Sequence, residues 1–529
     1  MTAADGRPGA PRERLAWAAA LLFGLAFLAQ ERVASLDESL TWDETGYIAA
    51  GYLNLVDGDY RLNADHPPLM QKLSALPLLL LRVSAPPVDD PRVLGSENPR
   101  ATYGREFFFA SGNDPLRMTE LARLPIIAIG AGLVLCAFAF AKSLFGTWPG
   151  GAAALLVVMC PNLVAHGRLA TEDLGCAAGM FAAVFTLWRC VERPGPGRAL
   201  VCGVVTGLAL LTKYTALLLL PIFAGLAFVV WRRCRDRIAP SELAGTLAVV
   251  AGLAFAVVGL GYGFSFRPDL YWEGIFRIYP DVAHDYAFYF WGQVSKEPFW
   301  YHASASVLIK TPLPTLALIA LAGWRARRSV PLERIAFLLL PPAVMLAATF
   351  FDITNPGIRR ALPALPFLLC FAALSFAAPR TRAVTIVAGL LLAGSLVEAV
   401  RAWPHHLAYL NDAVGGSDAG PLVTDESNVD WGQELPRLAA WQRAHQRPGE
   451  TLRLFYFGSA DPSAYGVHAE PYDVADVEKP RPGLYAISAH YLAWFRKLEA
   501  LEGADSDWLD KYAPIDRIGQ SLYIYRFGP

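Results

Sequence analysis

LARLPIIAIGAGLVLCAFAFAK (121–142), SLFGTW (143–148) and PGGAAALLVVMCPNLVAH (149–166) read as two apolar blocks joined by a short link that opens just after Lys142. A helix rising 1.5 Å per residue needs about 20 apolar residues to cross the roughly 30 Å of hydrocarbon in a bilayer. The first block meets that length and the second nearly does. Working outward, comparable blocks recur at 15–34, 174–190, 199–213, 215–231, 241–264, 307–324, 334–351, 361–377 and 383–401, about eleven spans in all. The whole chain agrees with this pattern. Its 529 residues are 54% hydrophobic and 18% charged, with a mean hydropathy of +0.33, which is too apolar for a soluble globule. A net charge of -1 gives no ground for a nucleic-acid partner. The run Leu15 to Gln30 follows Arg12 and Arg14 as in a signal peptide. Glu31 and Arg32 then stand where a small-residue cleavage site belongs, so the run reads as a retained first span.

Orientation comes from the arginines. With the N-terminus cytoplasmic, the inner segments are 1–14, Lys142 to Trp148, Arg189 to Arg198, Arg232 to Arg237, Arg325 to Arg334 and Arg380 to Arg382, each short and basic. The C-terminus then lies outside. The outer segments include a long loop, 35–118, with a semi-apolar piece, Leu73 to Leu81, too short to span and suited to the interface. A second loop, 265–306, is dense in aromatics (Tyr271, Trp272, Tyr286, Tyr289, Trp291, Trp300, Tyr301). The expected division is a transmembrane module, 1–401, that includes both loops, and a soluble outer α/β domain, 402–529. In that tail, strand-like runs (Leu452 to Phe457, Leu484 to Ser488, Leu522 to Tyr525) alternate with helical ones (Gln433 to His445, Ala493 to Leu501). All seven cysteines lie in or beside apolar blocks, so the outer parts are expected to fold without disulfides, and no metal site is read from them.

Three polar stretches fall on the outer face. Asp43 and Glu44 follow Trp42 near the end of the first span; Asp65-His66-Pro67-Pro68 leads into a helix carrying Lys72; Glu172 and Asp173 open the span that ends at Trp188. Acidic residues also stabilise the first turn of any helix, and a His-Pro-Pro can be a plain loop corner. Taken singly, these stretches leave both readings open. Their convergence on one face favours chemistry.

Together they resemble the GT-C glycosyltransferases. The nearest branch is family 39, the protein O-mannosyltransferase and aminoarabinose-transferase group. The resemblance rests on W-D-E with Tyr47, H-P-P-L with a downstream lysine, and A-T-E-D-L. It continues through Gly207 to Tyr214, Leu308 to Pro314 and Gly357 to Pro363, and through Asp425 to Gln433, which is similar to the D-S-N-x-D-W-G-Q signature of bacterial members. The resemblance implies a polyprenyl-phosphate sugar donor, an acceptor hydroxyl on a protein, lipid or glycan, and inverting single displacement. Asp43 maps to the family's base and Asp173 to its second acidic residue. Lys72 falls one position later than the family's lysine, and Glu172 adds a carboxylate where the family more often has threonine or methionine.

A carboxylate that takes the hydroxyl proton contributes typically 10²- to 10⁴-fold, and a cation stabilises the leaving phosphate. His66, Lys72, Lys213, Lys310 and Arg359 are the candidate substrate-binding groups, with Glu44 beside the base and Asn428 and Asp430 in the tail. No cofactor is implied, and a divalent metal is left open. The polyprenyl chain is expected in an apolar groove leading to His66 and the 265–306 loop. The rival reading is a transporter or flippase of a lipid-linked substrate, whose charges would sit on broken helices at the bilayer midplane.

Overall fold

The computed structural model describes residues 10–263, 266–277, 287–473, 475–506 and 508–528, so Tyr286 and part of the 265–306 loop lie outside the described residues. Among the described residues, eight helices are long and apolar enough to cross a membrane, or ten if each of two bent pairs counts as one span. The chain is a multi-pass membrane protein. The sequence count of about eleven is reached by adding Pro196–Leu210, an apolar helix of 15 residues that falls short of the usual length.

Both bends fall at prolines, which lack the N–H that would continue the ladder. Thr147–Val158 and Pro161–Gly167 meet at 61°, and His302–Lys310 and Leu313–Arg327 at 105°. The bends have a use. Asn162, in the first bent pair, donates from its side-chain amide to the Lys310 carbonyl at the corner of the second (2.8 Å). The most enclosed span is Ile358–Phe376, broken by short 3₁₀ turns at Leu362–Ala364 and Ala373–Phe376. The semi-apolar piece of the first loop forms Leu69–Ala75 followed by a 3₁₀ turn, Leu76–Leu80.

Helices Ala10–Ser35 and Pro115–Phe145 pack against each other in opposite directions. Lys142 pairs with Glu13 at one end (2.6 Å), and Arg123 reaches the Ser35 carbonyl towards the other (3.1 Å).

Seven strands are described: β1 (Phe288–Phe290), β2 (Gln293–Ser295), β3 (Leu452–Phe455), β4 (Glu470–Pro471), β5 (Gly483–Ser488), β6 (Asp516–Ile518) and β7 (Leu522–Phe527). β1 and β2 form a hairpin in the aromatic loop. The other five form the tail sheet in the order β4-β3-β5-β7-β6, with β3 parallel to β4 and β5 and the remaining pairs antiparallel. Helix Ala489–Glu502 connects β5 to the β6–β7 hairpin, and Leu435–His445 precedes β3. One face of the sheet does not close on itself. Leu438, Leu452, Leu484 and Ile524 share a buried core with Leu40, Ile48, Phe108 and Met118 of the first loop.

Candidate functional site

Asp43 sits at the start of helix Glu44–Val56, where a capping carboxylate would bond the first-turn amides, yet its side chain makes no capping bond. Its Oδ2 instead accepts from the Arg359 guanidinium (2.9 Å). The Nε of the same guanidinium donates to Asp173 Oδ2 (2.9 Å), and Lys213 Nζ donates to Asp173 Oδ1 (2.6 Å). Asp43, Asp173, Arg359 and Lys213 thus form one charge-balanced cluster, drawn from the first loop, a helix start, a turn and the Gly357–Arg359 corner.

Exposure grades the cluster. The Asp173 side chain is 1% exposed, whereas Asp43 and Arg359 are 11% and 13% exposed and meet the open side.

Local backbone explains how Arg359 arrives there. Gly357 has φ +65°, in the left-handed region, and a Cβ on it would lie 2.2 Å from the Asn428 amide, so only glycine fits. Asn428 Oδ1 then accepts from Ile358 N–H (3.0 Å), fixing the corner immediately before Arg359.

His66 stands one step away. Its Nε2 lies 3.0 Å from the Tyr47 hydroxyl and its Nδ1 3.1 Å from Glu172 Oε2. Burial pushes the imidazole down to about 4 and pushes the Glu172 carboxyl well above its ordinary value. The charged imidazole is thus disfavoured, and both ring nitrogens face protein groups, Tyr47 and Glu172. Glu172 serves as its partner within the protein. Arg100 supplies a cation nearby, donating to Asn63 (2.7 Å) and Asp65 (3.3 Å) with its guanidinium 5.2 Å from the Tyr47 ring.

The other candidates fall outside the cluster. Glu44 is closed off: its carboxylate accepts from Arg123 twice (2.8 and 2.6 Å), from the Thr41 amide and from Ala170 N–H. Lys72 donates to the Tyr60 hydroxyl (2.8 Å) and the Gly261 carbonyl (2.9 Å). Lys310 donates to the Leu407, Tyr409 and Asn428 carbonyls, which clamps the tail onto the spans. Asp430 accepts from Gly432 and His490 N–H groups, and burial pushes its carboxyl up to about 6.

Sequence reasoning missed Arg123, Arg100 and Trp431. Trp431 lies under the Arg359 guanidinium, 4.0 Å from its ring centroid. Among the described residues, no three His, Cys, Asp or Glu side chains group as a metal site.

A cleft of about 390 Å³ adjoins His66, bounded by Tyr60, Gln71 and Tyr262 and by Leu270 and Glu273 of helix Pro268–Arg277. Its lining is mixed, aromatic and polar, rather than purely apolar. A second cleft of about 550 Å³ lies at the seam of the first loop and the tail, between Trp42, Thr102 and Tyr472.

Residues 118–261 match the family model described as dolichyl-phosphate-mannose-protein mannosyltransferase. A stretch of 188 residues is 29% identical to an undecaprenyl phosphate-alpha-4-amino-4-deoxy-L-arabinose arabinosyl transferase from Serratia proteamaculans. It covers 35% of this chain and 31% of that enzyme, so the match spans about a third of the curated relative. The fold likeness is far longer. The apo crystal structure of ArnT from Cupriavidus metallidurans superposes with a TM-score of 0.50 at 13% identity, over 95% of this chain and 96% of that one. In overall fold, and in the sequence of one segment, the chain is similar to membrane sugar transferases of the GT-C type.

Proposed function

We propose that the protein is an inverting glycosyltransferase that moves a sugar from a polyprenyl-phosphate donor to an acceptor hydroxyl of a protein, lipid or glycan. The carrying observation is the pair of carboxylates, Asp43 and Asp173, bridged by one guanidinium at 2.9 Å on each side. Asp43, the more exposed acid, takes the proton of the acceptor hydroxyl as its oxygen attacks the anomeric carbon. The bond from that carbon to the phosphate oxygen breaks on the opposite face. Arg359 and Lys213 stabilise the charge that grows on the departing phosphate, and His66 holds the Tyr47 hydroxyl beside them. Asp173 keeps both cations in place. The polyprenyl chain approaches through the cleft beside His66 and helix Pro268–Arg277, whose exposed Trp272 suits an amphipathic ligand at the interface. A transport site is disfavoured by placement: Asp43 lies in the long first loop, ahead of Glu44–Val56, a helix of 13 residues that is too short to span, rather than on a broken span at the midplane.

The test uses purified protein in detergent with a panel of radiolabelled polyprenyl-phosphate sugars, scored for acceptor-dependent release of polyprenyl phosphate. Release from one member of the panel is the expected result. Binding of every donor with release of none returns the reading to transport.

In this proposal the module 1–401 lies in a plasma or inner membrane with its N-terminus cytoplasmic, and residues 402–529 are extracytoplasmic. The basic links between the spans support it. A C-terminal alkaline phosphatase fusion is expected to be active. An inactive fusion, with a fluorescent cytoplasmic reporter at the same point, reverses the orientation and puts Asp43 on the wrong face.

A further inference from the structure

The tail does more than cover the site. The segment Asn428 to Gln433 runs between the two parts of the molecule that carry Asp43 and Arg359, and it is bonded to both. On one side, Trp42 N–H donates to the Trp431 carbonyl (3.0 Å), and Ser39 N–H donates to the Gln433 carbonyl (3.0 Å). The Ser39 hydroxyl donates to the Gly432 carbonyl (2.6 Å). The residue immediately before Asp43 is therefore pinned to Trp431 through the backbone. On the other side, the Trp431 ring lies 4.0 Å beneath the Arg359 guanidinium, and Asn428 holds the preceding corner.

Trp431 is itself buried at 2% exposure. Its amide donates to Gln433 Oε1 (2.8 Å), and its ring meets His166 edge-on with centroids 6.0 Å apart. The indole has no freedom to follow a moving side chain.

We propose that Trp431 is the positioning residue of the Asp43–Arg359 pair: its ring seats the guanidinium while its carbonyl seats the residue that leads into the carboxylate. This rests on the catalytic reading of Asp43 given above. The physical logic is that a guanidinium held only by two carboxylates is pulled towards whichever is closer, or towards an arriving phosphate. An aromatic face below it fixes the plane in which it can slide, because the ring's negative quadrupole attracts the cation without claiming a hydrogen-bond donor. All five N–H groups stay available to carboxylate and phosphate. A site that needs its cation to hand over from Asp43 to a departing phosphate gains from a support of this kind.

The experiment compares Trp431→Phe with Trp431→Met in the full-length protein. Both shrink the side chain and both keep the backbone bond to Trp42, but only phenylalanine keeps a π face. The methionine variant is expected to lose roughly ten- to thirtyfold in kcat with donor KM little changed, and the phenylalanine variant to recover most of that loss. A second readout does not depend on turnover: the rate of Arg359 modification by phenylglyoxal, followed by peptide mass spectrometry. It should rise in Trp431→Met and stay near the wild-type rate in Trp431→Phe. The proposal is overturned if the two variants behave alike in arginine reactivity, or if both lose kcat only in step with their melting temperatures. If wild-type protein turns over no donor, the glycosyltransferase reading fails, and the arginine labelling still decides whether Trp431 seats Arg359.

Discussion

Asp43→Asn is expected to lower kcat by roughly 10²- to 10⁴-fold, the range for a lost general base, with donor affinity almost unchanged. Asparagine keeps the shape of the side chain and can still accept from Arg359, so the cluster stays assembled while its proton acceptor is gone. Asp173→Asn perturbs a different function. That carboxylate anchors Lys213 at 2.6 Å and Arg359 at 2.9 Å, so its loss is expected to release both cations and weaken donor binding together with kcat. Kinetics with the active donor separate the two roles. Near-normal turnover in Asp43→Asn, beside complete loss in Asp173→Asn, would transfer the base to Asp173.

The second large effect concerns stability. Glu44 is 0% exposed, and both its oxygens are engaged by Arg123, which also donates to the Ser35, Glu38 and Ser39 carbonyls. Glu44→Gln leaves a buried guanidinium without its counter-charge, a defect that costs about 3–5 kcal/mol in known buried pairs. The variant should melt well below wild type in detergent and lose folded yield. Per folded molecule, its turnover should fall appreciably less than that of Asp43→Asn. A Glu44→Gln protein that melts like wild type and is inactive would place Glu44 in the chemistry.

Successive helical residues point about 100° apart, which is why two adjacent acids meet such different surroundings. That difference was invisible in the string Asp43-Glu44, although its cause was partly present. Apart from Lys142 at the end of the block, Arg123 is the one charge in 121–142, and a charge at such a place signals a buried partner. The spans were legible because bilayer thickness imposes a length that composition alone displays. The three main tail strands were legible as short runs rich in apolar and aromatic residues, and they are buried on both faces.

Other features resisted for physical reasons. β4 spans two residues and β6 three, too short for any periodicity to register. Lys310 reads as a cation near a span end, but its acceptors lie 97 to 118 positions downstream, and no local pattern carries that information. His66 reads as a cation until burial is known. Trp431 stood within a recognised signature, yet its role depends on the Gly357 corner some seventy residues away, where Asn428 meets Ile358.

The core shared by the first loop and the tail sheet imposes an order on biogenesis. Ser39 bonds to residues 393 and 396 positions later, and Leu40 N–H to the Tyr465 hydroxyl 425 positions later. A ribosome adding roughly 5–20 residues per second needs on the order of 20–80 s to go from the end of that loop to the C-terminus. In the proposed orientation, Leu40, Ile48 and Phe108 spend that interval outside the membrane without the strands that bury them. The nascent chain is then open to proteases and chaperones on that side until Leu522–Phe527 joins the sheet. A chain that stalls or loses its end late in synthesis carries its membrane helices with the first loop's core left open.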